Sequence, residues 1–144
     1  MIKEIVTDKN ALSEKCLPCF FDPMEETRNK IIINDLFDTA NSHSNCVGLA
    51  SNQIGYKKRI CVVKVGGEFI AMVNPVIMPI KTAGVKAWKE ICLSLPNQRI
   101  RKRRFKKVKV TFQLVTGLKQ KLDFRGIEAA IVQHEVDHLN GKTI

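Results

Sequence analysis

Gln133-His134-Glu135-Val136-Asp137-His138 is the stretch that decides both architecture and chemistry. Two histidines four residues apart on an α-helix lie on one face, about one turn of rise apart, so both imidazoles reach a single metal ion. Glu135 follows the first histidine by one residue. Its carboxylate swings to the flank of that face, where it touches a metal-bound water without ligating the ion, the geometry of a general base. Ile127, Ala130 and Ile131 lead into the histidines at helical spacing, which predicts that the face carrying them is the buried one. The helix is expected to stop near Asn140-Gly141, because glycine takes the left-handed C-cap conformation without steric penalty.

Two histidines leave a metal short of at least one protein ligand. Six residues follow His138, so the missing ligand is expected upstream, where Glu90-Ile91-Cys92-Leu93-Ser94 offers a cysteine between apolar neighbours. If this run is extended, residues two apart share a face, and the Glu90 carboxylate lies beside the Cys92 sulfur, placed to orient a ligating histidine. A thiolate with two imidazoles suits Zn²⁺ or Fe²⁺. Further upstream, Cys46 to Gly55 is rich in small residues, which lets backbone approach a ligand closely, and it contains the side-chain amide of Gln53. On spacing alone that segment equally describes a tight turn.

The remaining chain reads as scaffold. Asp22 as N-cap, Pro23 at the first helical position and Glu25 three residues after the cap predict a helix to about Ala40, with Ile33, Leu36, Phe37 and Ala40 as its apolar stripe. Asn41 to Asn45 reads as loop, with His43 solvated. Arg59–Val65 and Glu68–Val73 are β-rich runs joined by Gly66-Gly67, a hairpin signal. Asn74-Pro75 is expected to break the pattern before shorter strands at 76–80 and 84–88, and Glu90 to Leu95 is expected to be extended. Val108, Val110, Phe112 and Leu114 alternate with polar residues, predicting a half-buried strand that Gly117 turns into a return strand from Leu118 to Phe124. These elements predict an α+β fold, antiparallel or mixed β-sheets packed around one central metal-binding helix.

At 144 residues and 44% hydrophobic content, the chain suits one domain, 1–144, with a core of its own. It lacks an apolar run long enough to span a bilayer or act as a signal peptide, so a cytoplasmic protein without a membrane partner is expected. Five cysteines at irregular spacing (16, 19, 46, 61 and 92) argue for reduced thiols, and Cys16-Leu17-Pro18-Cys19 for an irregular N-terminal segment. The formal charge of +10 favours anionic surroundings. Eight Lys or Arg fall within Arg99–Lys109, which reads either as a solvated strand and loop or as a contact for RNA.

In order along the chain, Gly48-Leu49-Ala50-Ser51-Asn52-Gln53-Ile54-Gly55, Glu90 to Ser94 and Gln133 to Gly141 resemble the three motifs of the peptide deformylases, metallohydrolases that remove the N-formyl group from nascent bacterial polypeptides. The likeness spans most of the chain. The sequence departs from the family at Cys46 and Ile91, where glycine is usual, and at Asn52, where proline is usual. After Gly141 only Lys142-Thr143-Ile144 remain, where the family continues into a strand and sometimes a helix. The resemblance implies that Cys92, His134 and His138 hold one divalent metal ion per chain, with Fe²⁺ favoured and Zn²⁺, Ni²⁺ or Co²⁺ able to substitute. It assigns Glu135 as acid–base, the Leu93 backbone N–H and the Gln53 amide as donors to the oxyanion, and Val47 and Gly48 as the segment along which the peptide lies as an added strand. The expected substrates are N-formylmethionyl nascent peptides, yielding formate. The expected partners are these peptides and, transiently through Arg99–Lys109, the ribosome, but not DNA. Another amidase or peptidase, or an RNA-binding module with a relic metal site, are the competing readings.

Overall fold

The computed structural model describes residues 1–143, which form three α-helices, two short 3-10 helices (Ser51–Ile54 and Lys81–Ala83) and seven strands. Ile144, the last residue of the expected domain, lies outside the described residues. The helices are α1 (Lys9–Leu12), α2 (Pro23–Ser42) and α3 (Gly126–Leu139). The strands are β1 (Gly48–Ala50), β2 (Ile60–Val65), β3 (Glu68–Pro79), β4 (Val85–Cys92), β5 (Leu95–Phe105), β6 (Lys107–Gln113) and β7 (Lys119–Arg125). They form an antiparallel sheet in the order β1-β2-β3-β6-β7 and a separate β4–β5 hairpin. The mixed α+β architecture therefore stands, with every pairing between named strands antiparallel.

Local chemistry explains most of these elements. The Asp22 side chain accepts from the Glu25 backbone N–H at 3.1 Å and starts α2. That helix buries Ile32, Ile33, Leu36 and Ala40 against Leu49, Ile60, Val62 and Val73 of the sheet. It continues to Ser42, two residues past its expected end, and His43 is half-buried as its C-cap instead of solvated. Gly66 and Gly67 both take positive φ, 58° and 86°, as a two-residue turn matched to the twist of the β2–β3 hairpin requires. In β6, Val108, Val110 and Phe112 are buried while Lys109, Thr111 and Gln113 are not, as the alternation predicts.

Two strand expectations are corrected. Asn74-Pro75 bends β3 without ending it: Asn74 takes φ 51°, the register shifts between Val73 and Val76, and its side chain bonds the Cys19 backbone and Gln113. A bulge thus absorbs the proline that sequence reads as a break. The extended reading of Glu90 to Leu95 fails at Leu93-Ser94, which form the turn of the β4–β5 hairpin, with Cys92 paired to Leu95 across it.

The third correction concerns α3. Its core face is Ala129, Val132, Val136 and Leu139, packed on Cys61, Val63, Met72, Val108, Phe112 and Phe124. Ile127, expected to be buried, is 60% exposed, and Ile131 is only half-buried. The histidine-bearing face is buried as expected at Ala130, His134 and His138; Ile127 and Ile131 depart from it because they line the open cleft, while α3 is also covered by both the large sheet and the β4–β5 hairpin. Two polar clamps fix it there. The Gln133 amide donates to the Phe105 carbonyl at 2.9 Å and accepts from the Phe105 N–H at 3.0 Å, while Arg59 bonds the Leu139 carbonyl and the Asn140 side chain at its C-terminal end.

Gly141 ends the helix with φ 77°, and a Cβ there would run into the Ser13 carbonyl. Both the backbone conformation and the close approach require glycine. Gly141→Ala is expected to lower the unfolding free energy by about 1–3 kcal/mol in urea titration. An unchanged midpoint would mean that the N-terminal segment packs on the helix end less tightly than described.

Candidate metal centre

Three donors converge between α3 and the tip of the β4–β5 hairpin. Cys92 Sγ and one ring nitrogen from each of His134 and His138 lie within 4.8 Å of one another. The Cys92 Sγ to His138 Nε2 distance is 3.3 Å, and the two Nε2 atoms are 3.1 Å apart. Donors bound to one tetrahedral ion at bond lengths of about 2.0–2.1 Å for nitrogen and about 2.3 Å for sulfur stand roughly 3.3–3.6 Å apart, so the spacings fit a shared cation. The donor set fits as well, since one cysteine sulfur and two imidazole nitrogens converging on one point are the ligand types that borderline divalent ions take.

The surroundings orient these donors. Glu90 Oε1 lies 2.9 Å from His134 Nδ1, leaving Nε2 directed at the cluster. Glu90 is itself held by a bidentate Arg104, with Nε–Oε2 at 2.9 Å and Nη2–Oε1 at 2.8 Å, and the third guanidinium nitrogen bonds Asp137 of α3. Arg104 is 5% exposed. This corrects its place in the solvated basic run: the neighbouring Arg101 and Arg103 are exposed, but strand alternation turns Arg104 inward. Burial would raise the Glu90 carboxyl, but the hydrogen bonds from Arg104 and His134 hold it at about 2.

The charges of the metal-free cluster are strongly coupled. Burial, then the neighbouring His134 charge, pushes His138 down to about 3. Burial would lower His134 too, but the Glu135 charge and bonds to Cys92 and Glu90 carry it up to about 10. The pair thus carries no more than one positive charge, which leaves His138 neutral with a lone pair to offer. Burial pushes Glu135 up to about 7, against the pull of His134.

Glu135 Oε1 is buried without a hydrogen-bond partner among the described residues. Its other oxygen packs on Gly48, where a Cβ would approach Oε2 to 2.5 Å, so a side chain at 48 would displace the carboxylate. Gly48 thereby does more than open a path for ligand. Gln53 is 2% exposed; its Oε1 accepts from the Ala50 N–H at 3.0 Å, and its Nε2 faces the cluster, 3.4 Å from Cys92 Sγ and 3.1 Å from Ser94 Oγ. Asn52, at the departure from proline, donates to the His138 carbonyl at 2.7 Å and ties the 51–54 turn to α3. Val47 is 43% exposed and, with Gly48 and Leu93, lines a cleft of about 930 Å³ that opens onto Cys92, His134 and Glu135.

The structure therefore brings together Gly48, Gln53, Cys92, Leu93, His134, Glu135 and His138, from three separate stretches of chain. Sequence reasoning missed Arg104, Asp137 and Gln133 as parts of this arrangement. The inward position of Arg104 in an alternating strand was the one available signal.

Comparison with known proteins agrees with this geometry. The profile of the family described as polypeptide deformylase matches residues 2–144. The chain is 41% identical over 143 residues to a peptide deformylase of Clostridium beijerinckii, covering 98% of both chains, and 41% identical over 110 residues to one of Heliobacterium modesticaldum, covering 76% of this chain and 71% of that one. Among solved structures, a peptide deformylase from Legionella pneumophila superposes with a TM-score of 0.87 at 34% identity, over 99% of this chain and 83% of that one. The Thermotoga maritima peptide deformylase gives 0.87 at 30% identity, over 99% and 95%. On its sequence, its fold and the similarity of both to these relatives, the chain belongs to the polypeptide deformylase family.

Proposed function

We propose that residues 1–144 form a single catalytic domain, a metal-dependent hydrolase that removes the N-formyl group from formylmethionyl peptides. The observation that carries this reading is the convergence of Cys92, His134 and His138 beside a buried, unpartnered carboxylate oxygen of Glu135, a residue that also lines the open cleft. These three residues would hold one divalent ion on the α3 platform, with Fe²⁺ favoured by the family resemblance and Zn²⁺, Ni²⁺ or Co²⁺ as substitutes. When bound, the ion supplies Lewis-acid activation that makes hydroxide available from water near neutral pH.

The chain's own residues do the rest. Glu135 accepts the proton from water at its unpartnered Oε1 and returns it to the departing amine; burial near neutral pKa suits it to both transfers. Gln53 Nε2, fixed by its Oε1 bond to Ala50, donates together with the Leu93 backbone N–H to the carbonyl oxygen as that oxygen gains charge. The peptide lies along Val47 and Gly48, because β1 is the edge of its sheet and pairs only with β2. Formate and a free amino terminus are the products.

We place this reaction in the cytoplasm, where nascent chains emerge; among the described residues no helix is long and apolar enough to cross a membrane. Arg101 and Arg103, exposed on one face of β5, support a transient contact with ribosomal RNA.

Glu135→Ala is expected to retain stoichiometric metal but to lower kcat on a formyl-Met peptide by about 10²–10⁴, whereas Cys92→Ala is expected to lose the ion, with only two protein ligands left. Loss of metal in the first variant, or full occupancy and activity in the second, contradicts the assignment. Arg104→Gln should weaken metal binding by about 10–100-fold, because Glu90 then no longer orients His134, and a competition titration with a chromophoric chelator reads this directly. The ribosome contact predicts that Arg101→Ser with Arg103→Ser weakens co-sedimentation with ribosomes and flattens its salt dependence; unchanged association would leave these arginines as a solvated face.

A further inference from the structure

The cleft beside the metal centre is much larger than a formyl-methionyl group needs. Its volume of about 930 Å³ lies near the upper end of the roughly 300–1,000 Å³ that whole drug-sized sites occupy. Several residues of a peptide fit within it, so its walls beyond the reacting group bear on which peptides are accepted.

Four charged side chains line those walls: Lys89, Glu90, Arg99 and Glu135. The acids are not available to a peptide's side chains. Glu90 is held by Arg104 and His134, and Glu135 is buried against Gly48. The cations are in the opposite condition. Lys89 and Arg99 are exposed, and among the described residues neither has an ion-pair partner. Alternation along β4 puts Lys89 on the face away from Glu90 and Cys92, opposite Arg101 across the hairpin, with Arg103 next along that face opposite Ala87. The cleft mouth is thus positive, without an acidic group to balance it, and the adjoining hairpin face extends the same field.

From this we infer that Lys89 and Arg99 are specificity-determining residues that select peptides with Asp or Glu among the first few residues after formyl-methionine. The inference rests on the deformylase reading and adds the substrate class to it. A peptide added to the β1 edge must pass between that edge and the hairpin, since Val47 and Gly48 face Lys89, Ile91 and Arg99 across one cleft. Acidic side chains there meet two unpaired cations at short range, whereas basic ones are repelled. Because both cations are solvated, salt weakens the preference, the Debye length falling from about 30 Å at 0.01 M to about 3 Å at 1 M.

The test compares kcat/KM of the metal-loaded enzyme on formyl-Met-Ala-Asp-Glu, formyl-Met-Ala-Ser-Ser and formyl-Met-Ala-Lys-Lys, at low and high salt. The acidic peptide is expected to exceed the basic one by about three- to thirtyfold at low salt, with the neutral peptide between them and the ratio falling toward one as salt rises. Lys89→Glu with Arg99→Glu should invert the order, and Lys89→Gln with Arg99→Gln should bring the ratio close to one if the reversal does not fold. Lys119→Gln with Lys121→Gln on β7, the same change of net charge as the neutral double substitution but away from the cleft, should leave the ratio as it was. A wild-type ratio within about twofold of one at low salt, or a ratio that survives both double substitutions, overturns the inference while leaving the deformylase reading intact. Failure to turn over all three peptides overturns the deformylase reading, and this inference with it.

Discussion

Glu90 is held between the guanidinium of Arg104 and the imidazole of His134, and the geometry of the Cys92, His134 and His138 donor cluster depends on that contact. A carboxylate withdrawn from water is costly unless fully paired, and a buried guanidinium equally so. Here each satisfies the other in a bidentate pair, and Arg104 also reaches Asp137 on α3. The consequence is mechanical as well as electrostatic. β4 supplies Glu90 and Cys92, β5 supplies Arg104, and α3 supplies Asp137, His134 and His138, so one network sets the distance between the Cys92 sulfur and the imidazoles.

The rest of the fold serves that registration. The large sheet gives α3 an apolar bed through Ala129, Val132, Val136 and Leu139, which fixes its height but not its rotation. Rotation is set by polar contacts: Gln133 on the Phe105 backbone, Arg59 at the C-terminal end and Asn52 on the His138 carbonyl. Apolar packing tolerates small slips of a helix on a sheet, whereas a hydrogen bond weakens steeply with misalignment. Directional clamps on three sides are what a site with donor spacings near 3 Å requires.

Much of this was legible in the sequence, for reasons that can be named. His134 and His138 share a helix face, and that relation is local, so spacing alone revealed it. Cys92 lies far away in the chain; the need for a third ligand pointed upstream, and the resemblance of three ordered motifs joined this cysteine to the histidines. Arg104 stayed hidden because a run of eight basic residues reads as hydrated, and strand alternation, the one local signal, does not say which parity faces Glu90. The bend at Asn74-Pro75 and the exposure of Ile127 were misread for a related reason: a bulge and a cleft beside a helix both depend on neighbours distant in sequence. Gly48 illustrates the same limit, since its close approach to Glu135 is a contact across 87 positions that no glycine pattern announces.

The central claim is that one thiolate and two imidazoles of this chain share a single ion. X-ray absorption at the zinc edge of the stoichiometrically loaded protein tests it most directly. The account predicts one sulfur at about 2.3 Å, two imidazole nitrogens at about 2.0–2.1 Å and one further light scatterer. A shell without sulfur, or one dominated by oxygen at longer distance, would contradict it.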